Sequence, residues 1–436
     1  MARIIILAVF SLIFLGAGCQ KQPQFLGRLY PVRTSSTSTG DTDGDSDSRE
    51  INTSTNWLSG VGSDGVYEAK AVKVAAAYES QKPVEQPALS VEAGTSPVAH
   101  AAKPEIVRGI YLTAGTAAGA NMDKIAVKAK EAGVNSLVID LKDYLGNPAF
   151  ANSELGDLSP KKPYFAPVAL TEKLHKDNFY LIARIPVFED TYLAEKKPKL
   201  ALKTAGGAIW RDNKGLAWLD PAAREVWNYN LKIAKLAYAV GFDEIQFDYV
   251  RFATDGATGK IIFPFYKDNT PKAETIELFF QFLDRELRQK GVPVSVDLFG
   301  ITFWSDYDYN IGQKFLDAMA SFDFVSPMVY PSHFPANFQG YKNPAENPYE
   351  IIKLSMQSGL DLAKKAASST PEFIKQTLSK FRPWLQAFDM GAVYDEKKIV
   401  DQVRGACDAG ATGGWLFWNA RNVYNFVALG AKQTCY

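Results

Sequence analysis

Carboxylates recur in this chain at the ends of short apolar runs, on the same side of each run. In Glu244-Ile245-Gln246-Phe247-Asp248-Tyr249-Val250-Arg251, the residues Ile245, Phe247 and Tyr249 share one parity and Gln246 and Asp248 the other. Side chains alternate across a strand, so a strand here aims an amide and an acid at one face and apolar groups at the opposite one. Val294, Val296 and Leu298 alternate with Ser295 and Asp297 in the same way, and a third run ends with Asp140 and Lys142 on one parity. A buried carboxylate is costly unless it is paired or used. Lys142, Arg184 and Arg251 are the partners at hand, so ion pairing is the structural alternative to chemistry. Two carboxyl groups flanking a sugar are what glycosidic cleavage requires: one protonates the leaving oxygen, the other attacks or stabilises the anomeric carbon. On that reading Asp248 is nucleophile or electrostatic stabiliser and Asp297 the general acid/base, with a raised pKa on the acid separating the roles.

Other polar and aromatic residues at run ends suit a sugar site. Tyr330 and His333 follow one strand-like run, Gln386 lies in another, and Trp418 and Asn419 end the last. Together with Asp140, Lys142, Arg184, Gln246 and Arg251 they are expected to position substrate hydroxyls and stack on ring faces. Trp415 and Trp418 have opposite parity, so one of them belongs to the core; Trp418, nearer the run's end, is the expected site residue. His100 and His175 are expected to face solvent. There is no G-x-S-x-G elbow and no H-E-x-x-H helix. Three histidines and three cysteines leave little material for a metal centre, so no metal and no organic cofactor is expected.

Strands are expected at 106–112, 135–141, 180–185, 244–250, 292–298, 322–330, 384–388 and 414–418. Amphipathic helices fall between them. Val226, Ile233, Leu236 and Val240 form one stripe, expected to open at Asp220-Pro221. Ile276, Phe279, Phe280, Leu283 and Leu287 form a second, closed near Gly291, and Ile399, Val403 and Cys407 a third. Eight strand–helix alternations over about 330 residues predict a (β/α)₈ barrel, whose chemistry sits at the C-terminal ends of the strands. A doubly wound open sheet would need a glycine-rich phosphate fingerprint after its first strand, which is missing. Two connections are long, 186–219 (with Glu189, Asp190, Trp210, Arg211, Asp212 and Trp218) and 252–270. Such loops either build subsites or decorate the barrel.

The barrel occupies only residues 104–436 of the 436. Residues 1–19 place Arg3 before an apolar run and end Leu15-Gly16-Ala17-Gly18-Cys19, which resembles a lipobox with Cys19 as the lipidated residue. Residues 20–103 read as a flexible stalk, with a Ser/Thr/Gly/Asp tract at 34–48 and a short helix expected at 66–78. The acidic run Asp41, Asp43, Asp45 and Asp47 lacks the downstream glutamate of an EF-hand loop. The chain is therefore expected to be exported and to sit on a membrane of the bacterial cell envelope by its lipid, as a monomer. Lys and Arg total 48, as do Asp and Glu; this balance argues against nucleic acid as partner. Cys407 and Cys435 are free to pair in an exported protein.

Several segments carry a family resemblance: Val107-Arg108-Gly109-Ile110-Tyr111-Leu112-Thr113, Trp210-Arg211-Asp212, Gly215-Leu216-Ala217-Trp218-Leu219-Asp220-Pro221, the stretch from Gly241 to Phe252, and Ser326-Pro327-Met328-Val329-Tyr330-Pro331. From about Pro104 onward the chain resembles the glycoside-hydrolase-like domain of bacterial exported proteins. The resemblance implies a TIM-barrel glycosidase fold, a carbohydrate substrate and no defined sugar. The order of a fourth-strand aspartate and a fifth-strand acid is similar to the α-amylase clan, but Asp297 stands for that clan's glutamate and Gln246 for its arginine. Strands six and eight look like chitinases, whereas the chitinase acid falls on Val250. An exported, lipid-anchored glycoside hydrolase is the expected function. A glycan-binding lipoprotein that keeps the barrel without turnover is the alternative.

Overall fold

Eight parallel strands alternate with helices along the chain and close into a barrel in sequence order: β1 Val107–Leu112, β2 Ser136–Asp140, β3 Tyr180–Pro186, β4 Glu244–Asp248, β5 Val294–Phe299, β6 Phe324–Met328, β7 Trp384–Gln386 and β8 Gly414–Trp418. The computed structural model describes residues 98–367 and 369–431. Cys19 and the rest of the expected leader, nearly all of the stalk with its helix at 66–78, and Cys435 lie outside the described residues. Among the described residues, no helix is long and apolar enough to cross a membrane.

The strand alternation divides the apolar residues into two layers. Ile245, Phe247, Val294, Val296 and Leu298 pack outward against the helices, while Val107, Tyr111, Val138, Ile182, Trp384 and Leu416 fill the barrel interior. The barrel closes where Val107 pairs with Gly414. Gly414 has φ +103°, and a Cβ there would lie 1.9 Å from the Val107 carbonyl oxygen; only glycine fits that seam. β4 ends two residues before the expected boundary because Tyr249 adopts φ +53°, a left-handed conformation that breaks the extended run.

Helix Arg224–Ala239 buries Val226, Ile233 and Leu236 as the stripe requires, but it starts at Arg224 rather than at Asp220-Pro221. The Asp220 carboxylate instead accepts from the backbone N–H groups of Ala222 (2.9 Å), Phe265 (2.7 Å) and Tyr266 (3.0 Å). It thereby fastens the long loop after β4 onto the long loop after β3. Helix Lys272–Glu286 carries the second stripe, and Gly291 then turns the chain at φ +83°. Helix Glu396–Asp408 is capped by Asp395, whose side chain accepts from the Lys398 N–H. Cys407, on that helix, is disulfide-bonded.

The N-terminal end of the barrel is polar and sealed. Glu244 and Arg382, both fully buried, face each other in a two-pronged ion pair, and Ser295 (2.5 Å) and Tyr180 (3.2 Å) also donate to the glutamate. Just below, Asp243 accepts from the Ala101 N–H (2.6 Å) and the Leu181 N–H (2.7 Å), and lies 3.0 Å from His175 Nε2. His175 is thus half-buried against a carboxylate rather than facing solvent. His100, though exposed, stacks on Tyr238 at 4.0 Å between ring centroids. These contacts dock the segment that leads into the barrel.

Candidate active site

The C-terminal ends of the strands form the other mouth, and Arg184 of β3 is its centre. Its parity within Tyr180–Pro186 turns the guanidinium into the barrel, between the ends of β2 and β4. Nη1 donates to Asp140 Oδ1 at 2.5 Å and Nη2 to Asp248 Oδ2 at 2.5 Å, while Nε lies 3.8 Å from Asp297 Oδ2. Three acids from β2, β4 and β5 thus converge on one cation. Burial works against the Arg184 charge, but Asp140 and Asp248 beside it hold its pKa well above the ordinary value. Tyr111 of β1 donates to the second Asp140 oxygen and lies under the guanidinium, 5.4 Å from ring centroid to Arg184 Cζ.

The acids are not equivalent. Asp248 keeps a small exposed area, accepts from the Tyr249 N–H at 2.6 Å and faces the mouth. Asp297 is fully enclosed: Trp384 Nε1 donates to Oδ1 at 2.7 Å, and Oδ2 has no hydrogen-bond partner among the described residues. Burial, reinforced by the Asp248 charge, pushes the Asp297 pKa well above its ordinary value, which disfavours its charged form. Beneath them Gln246 donates to Ser326 Oγ at 3.4 Å, and its buried Oε1 has no hydrogen-bond partner among the described residues.

Aromatic rings wall one side of the mouth. Trp418 lies 6.1 Å from Tyr111, 5.9 Å from Tyr330 and 5.2 Å from Phe388, between ring centroids. Trp418 and Phe388 are partly exposed, whereas Trp415 is buried outside the barrel against Phe417. The Tyr330 hydroxyl makes no hydrogen bond among the described residues, and burial, with the neighbouring acids adding to it, raises its pKa well above the ordinary value. His333 sits at the exposed rim, 5.2 Å from Tyr330. Such faces stack on the apolar sides of sugar rings while the hydroxyl meets their polar edges.

Asp140, Arg184, Gln246, Asp248, Asp297, Tyr330 and Trp418 are therefore gathered at or just below the mouth, with His333 at its edge. Four other expected site residues have their polar groups engaged elsewhere. Lys142 is fully buried, bonding Asp190 and Asn230 at 2.9 Å each. Gln386 accepts from the Ser332 N–H and donates to the Phe388 carbonyl at 2.9 Å. Asn419 donates to the carbonyls of Ala387 (2.5 Å) and Val423 (2.9 Å). Gln386 and Asn419 shape the loops that carry Phe388 and Trp418. Arg251 lies buried among Trp218, Tyr249 and Phe299, donating to Thr254 Oγ1 at 2.9 Å. Trp210 and Trp218 of the long loop are core residues, the latter bonded to Asp212 at 3.1 Å.

Tyr111, Trp384 and Phe388 complete the site and were not expected there. The inward parity of Tyr111 and Trp384 would have found both. Glu189, partly exposed, stands beside the mouth just after β3. Burial, with the charges of Asp212 and Asp248 adding to it, pushes its pKa up to about 7. No strand periodicity reaches that position. Among the described residues no cluster of His, Cys, Asp and Glu suits a metal ion.

Barrel and mouth together define a glycosidase-like (β/α)₈ domain. Residues 109–424, well over half of the chain, match the family described as "Putative glycosyl hydrolase domain", and the chain belongs to that family. A hypothetical protein from Ruminiclostridium thermocellum ATCC 27405 is 32% identical over 43% of this chain and 96% of its own, at a TM-score of 0.40. The PgaB (BpsB) glycoside hydrolase domain from Bordetella bronchiseptica shares the fold at 15% identity, covering 74% of this chain and 95% of its own, at a TM-score of 0.51. The catalytic domain of a hyperthermophilic chitinase from Pyrococcus furiosus is 13% identical over 73% of this chain and 85% of its own, at a TM-score of 0.43. No curated protein matches the chain.

Proposed function

We propose that the chain is an exported, lipid-anchored glycoside hydrolase that cleaves a poly- or oligosaccharide, with Cys19 as its lipid attachment. The observation that carries this reading is the division of labour between adjacent carboxyl groups at the strand ends. Asp248 is salt-bridged to Arg184 and reaches the mouth, whereas its neighbour Asp297 is enclosed and burial disfavours its charged form. Glycosidases need such a separation of carboxyl roles. A sugar seated against Trp418, Tyr330 and Phe388 presents its anomeric carbon to Asp248, which attacks it or stabilises the cationic transition state. Arg184 holds the Asp248 oxygen in place, and the burial of Asp297 disfavours a further negative charge beside it. Tyr330 and Asp140 meet substrate hydroxyls. Membership of the family supports a glycan substrate.

The test is release of reducing ends from a glycan panel by the full chain, alongside Asp248→Asn. Release by the wild type that is lost in the folded variant supports the reading and identifies the substrate. Equal release by both removes Asp248 from the mechanism. Binding without release, by both, transfers the assignment to a glycan-binding envelope lipoprotein.

A further inference from the structure

A glycosidase acid must pass its proton to an oxygen lying in the mouth and recover it from water. Asp297 is poorly placed for that exchange: it is fully buried, with Trp384 on one oxygen and the Arg184 side chain beside the other. Glu189 is placed differently. Beyond Pro186 the chain continues along the end of β4: the Val187 N–H donates to the Asp248 carbonyl at 2.9 Å and the Phe188 N–H to the Tyr249 carbonyl at 3.3 Å. On the other side Glu189 forms a β-bridge with Trp218, and the Leu219 N–H donates to the Phe188 carbonyl at 2.8 Å. The backbone that carries Glu189 is therefore clamped from both flanks, against the residue that carries the nucleophile. Its carboxyl makes no hydrogen bond and no ion pair among the described residues, and it keeps partial access to solvent. The charges around it are Arg251, Asp212, Lys214 and Asp248, and Tyr249 shares the same pocket.

We infer that Glu189 is the proton donor and acceptor of the hydrolase, acting opposite Asp248, an assignment that rests on the glycosidase reading and moves the acid/base role away from Asp297. As the C1–O bond breaks, the Glu189 proton passes to the departing oxygen and Asp248 bonds to C1. Glu189, now a carboxylate, takes a proton from water as the water oxygen bonds to C1 and Asp248 leaves. The free sugar departs and Glu189 is protonated as before. A carboxyl that titrates near 7 serves both halves of this cycle, because neither protonation state is costly at neutral pH. Asp297 becomes a positioning residue, held by the Trp384 indole N–H beside the Arg184 side chain that binds Asp248.

The experiment compares the full-length wild type with Glu189→Gln and Asp297→Asn. The substrates are gluco-, galacto- and N-acetylglucosamine oligosaccharides and the matching 2,4-dinitrophenyl glycosides, whose leaving group needs no proton. Glu189→Gln is expected to lower kcat/KM on the oligosaccharide by about 10²–10⁴-fold and far less on the dinitrophenyl glycoside. It should also erase the basic limb of the pH–rate profile near 7, and azide should restore turnover of the activated substrate. Thermal unfolding of each variant checks that it is folded. Equal losses on both leaving groups, or a basic limb that survives in Glu189→Gln and vanishes in Asp297→Asn, overturn the assignment while leaving the glycosidase reading intact. A wild type that cleaves none of these substrates, nor any glycan of the panel, overturns both.

Discussion

Replacing Arg184 by Met tests whether the mouth is held together by one cation among three acids. The guanidinium bonds Asp140 and Asp248 at 2.5 Å each and lies 3.8 Å from Asp297, and its side chain is 10% exposed. Breaking such a buried arrangement from one side costs about 3–5 kcal/mol, chiefly because charge is left uncompensated. The larger consequence is in the pH dependence. Burial already raises the Asp140 pKa above its ordinary value while Arg184 opposes that rise, so removing the cation raises it further. A carboxyl whose folded pKa is raised binds more protons in the folded than in the unfolded state, and stability then falls as pH rises between the two values. One such extra proton costs about 1.4 kcal/mol per pH unit, or about 3 kcal/mol between pH 5 and 7.5. Asp140 and Asp297 already behave this way in the wild type, so the quantity to follow is the difference between variant and wild type. Urea unfolding of both at pH 5, 6 and 7.5 gives it directly. The variant's deficit should grow toward pH 7.5; a deficit that is constant or shrinks with pH would refute the electrostatic account of the mouth.

At the opposite end of the barrel, Arg382→Met should destabilise by about 3–5 kcal/mol, because Glu244 then has no cation in a fully buried site. The double change Glu244→Leu with Arg382→Met should recover much of that loss, and denaturant midpoints decide; a double variant worse than the single one contradicts the desolvation argument. Trp418→Ala removes a partly exposed ring from the aromatic wall. Glycan affinity should weaken about twofold to tenfold, as expected for the loss of about 0.5–1.5 kcal/mol of ring contact. Isothermal titration against the glycan cleaved or bound in the panel measures this, and unchanged affinity would take Trp418 out of the site.

Parity explains how much of this molecule could be read in its residues. The alternation of Gln246 and Asp248 with Ile245 and Phe247, and of Ser295 and Asp297 with Val294 and Val296, is a local covalent property of extended chain, so the inward face of each strand was legible before any packing was known. Eight such runs with amphipathic helices between them made the closed barrel the consistent solution, and the end that carries the acids followed from chain direction. Lys142 shows where parity stops: it lies past the end of β2, where the pleat no longer dictates direction, and Asp190 and Asn230 draw it away from the mouth. Gln386 and Asn419 have their amide groups engaged for a related reason, since loop carbonyls nearby accept from them. Glu189 follows a strand by three residues, and only the clamping of its backbone between Asp248 and Trp218 puts it beside the site.

The sequence by itself determined the alternation, the strand count, and the residue types that line the barrel, because these depend on neighbours along the chain. The tertiary structure alone decided what surrounds each acid. Asp140, Asp248 and Asp297 are chemically alike, and what separates them is distance to one guanidinium, exposure and the company of an indole N–H. Those quantities join residues from five strands, and a carboxyl group's charge is set by the dielectric and the charges that folding brings around it rather than by its place in the chain.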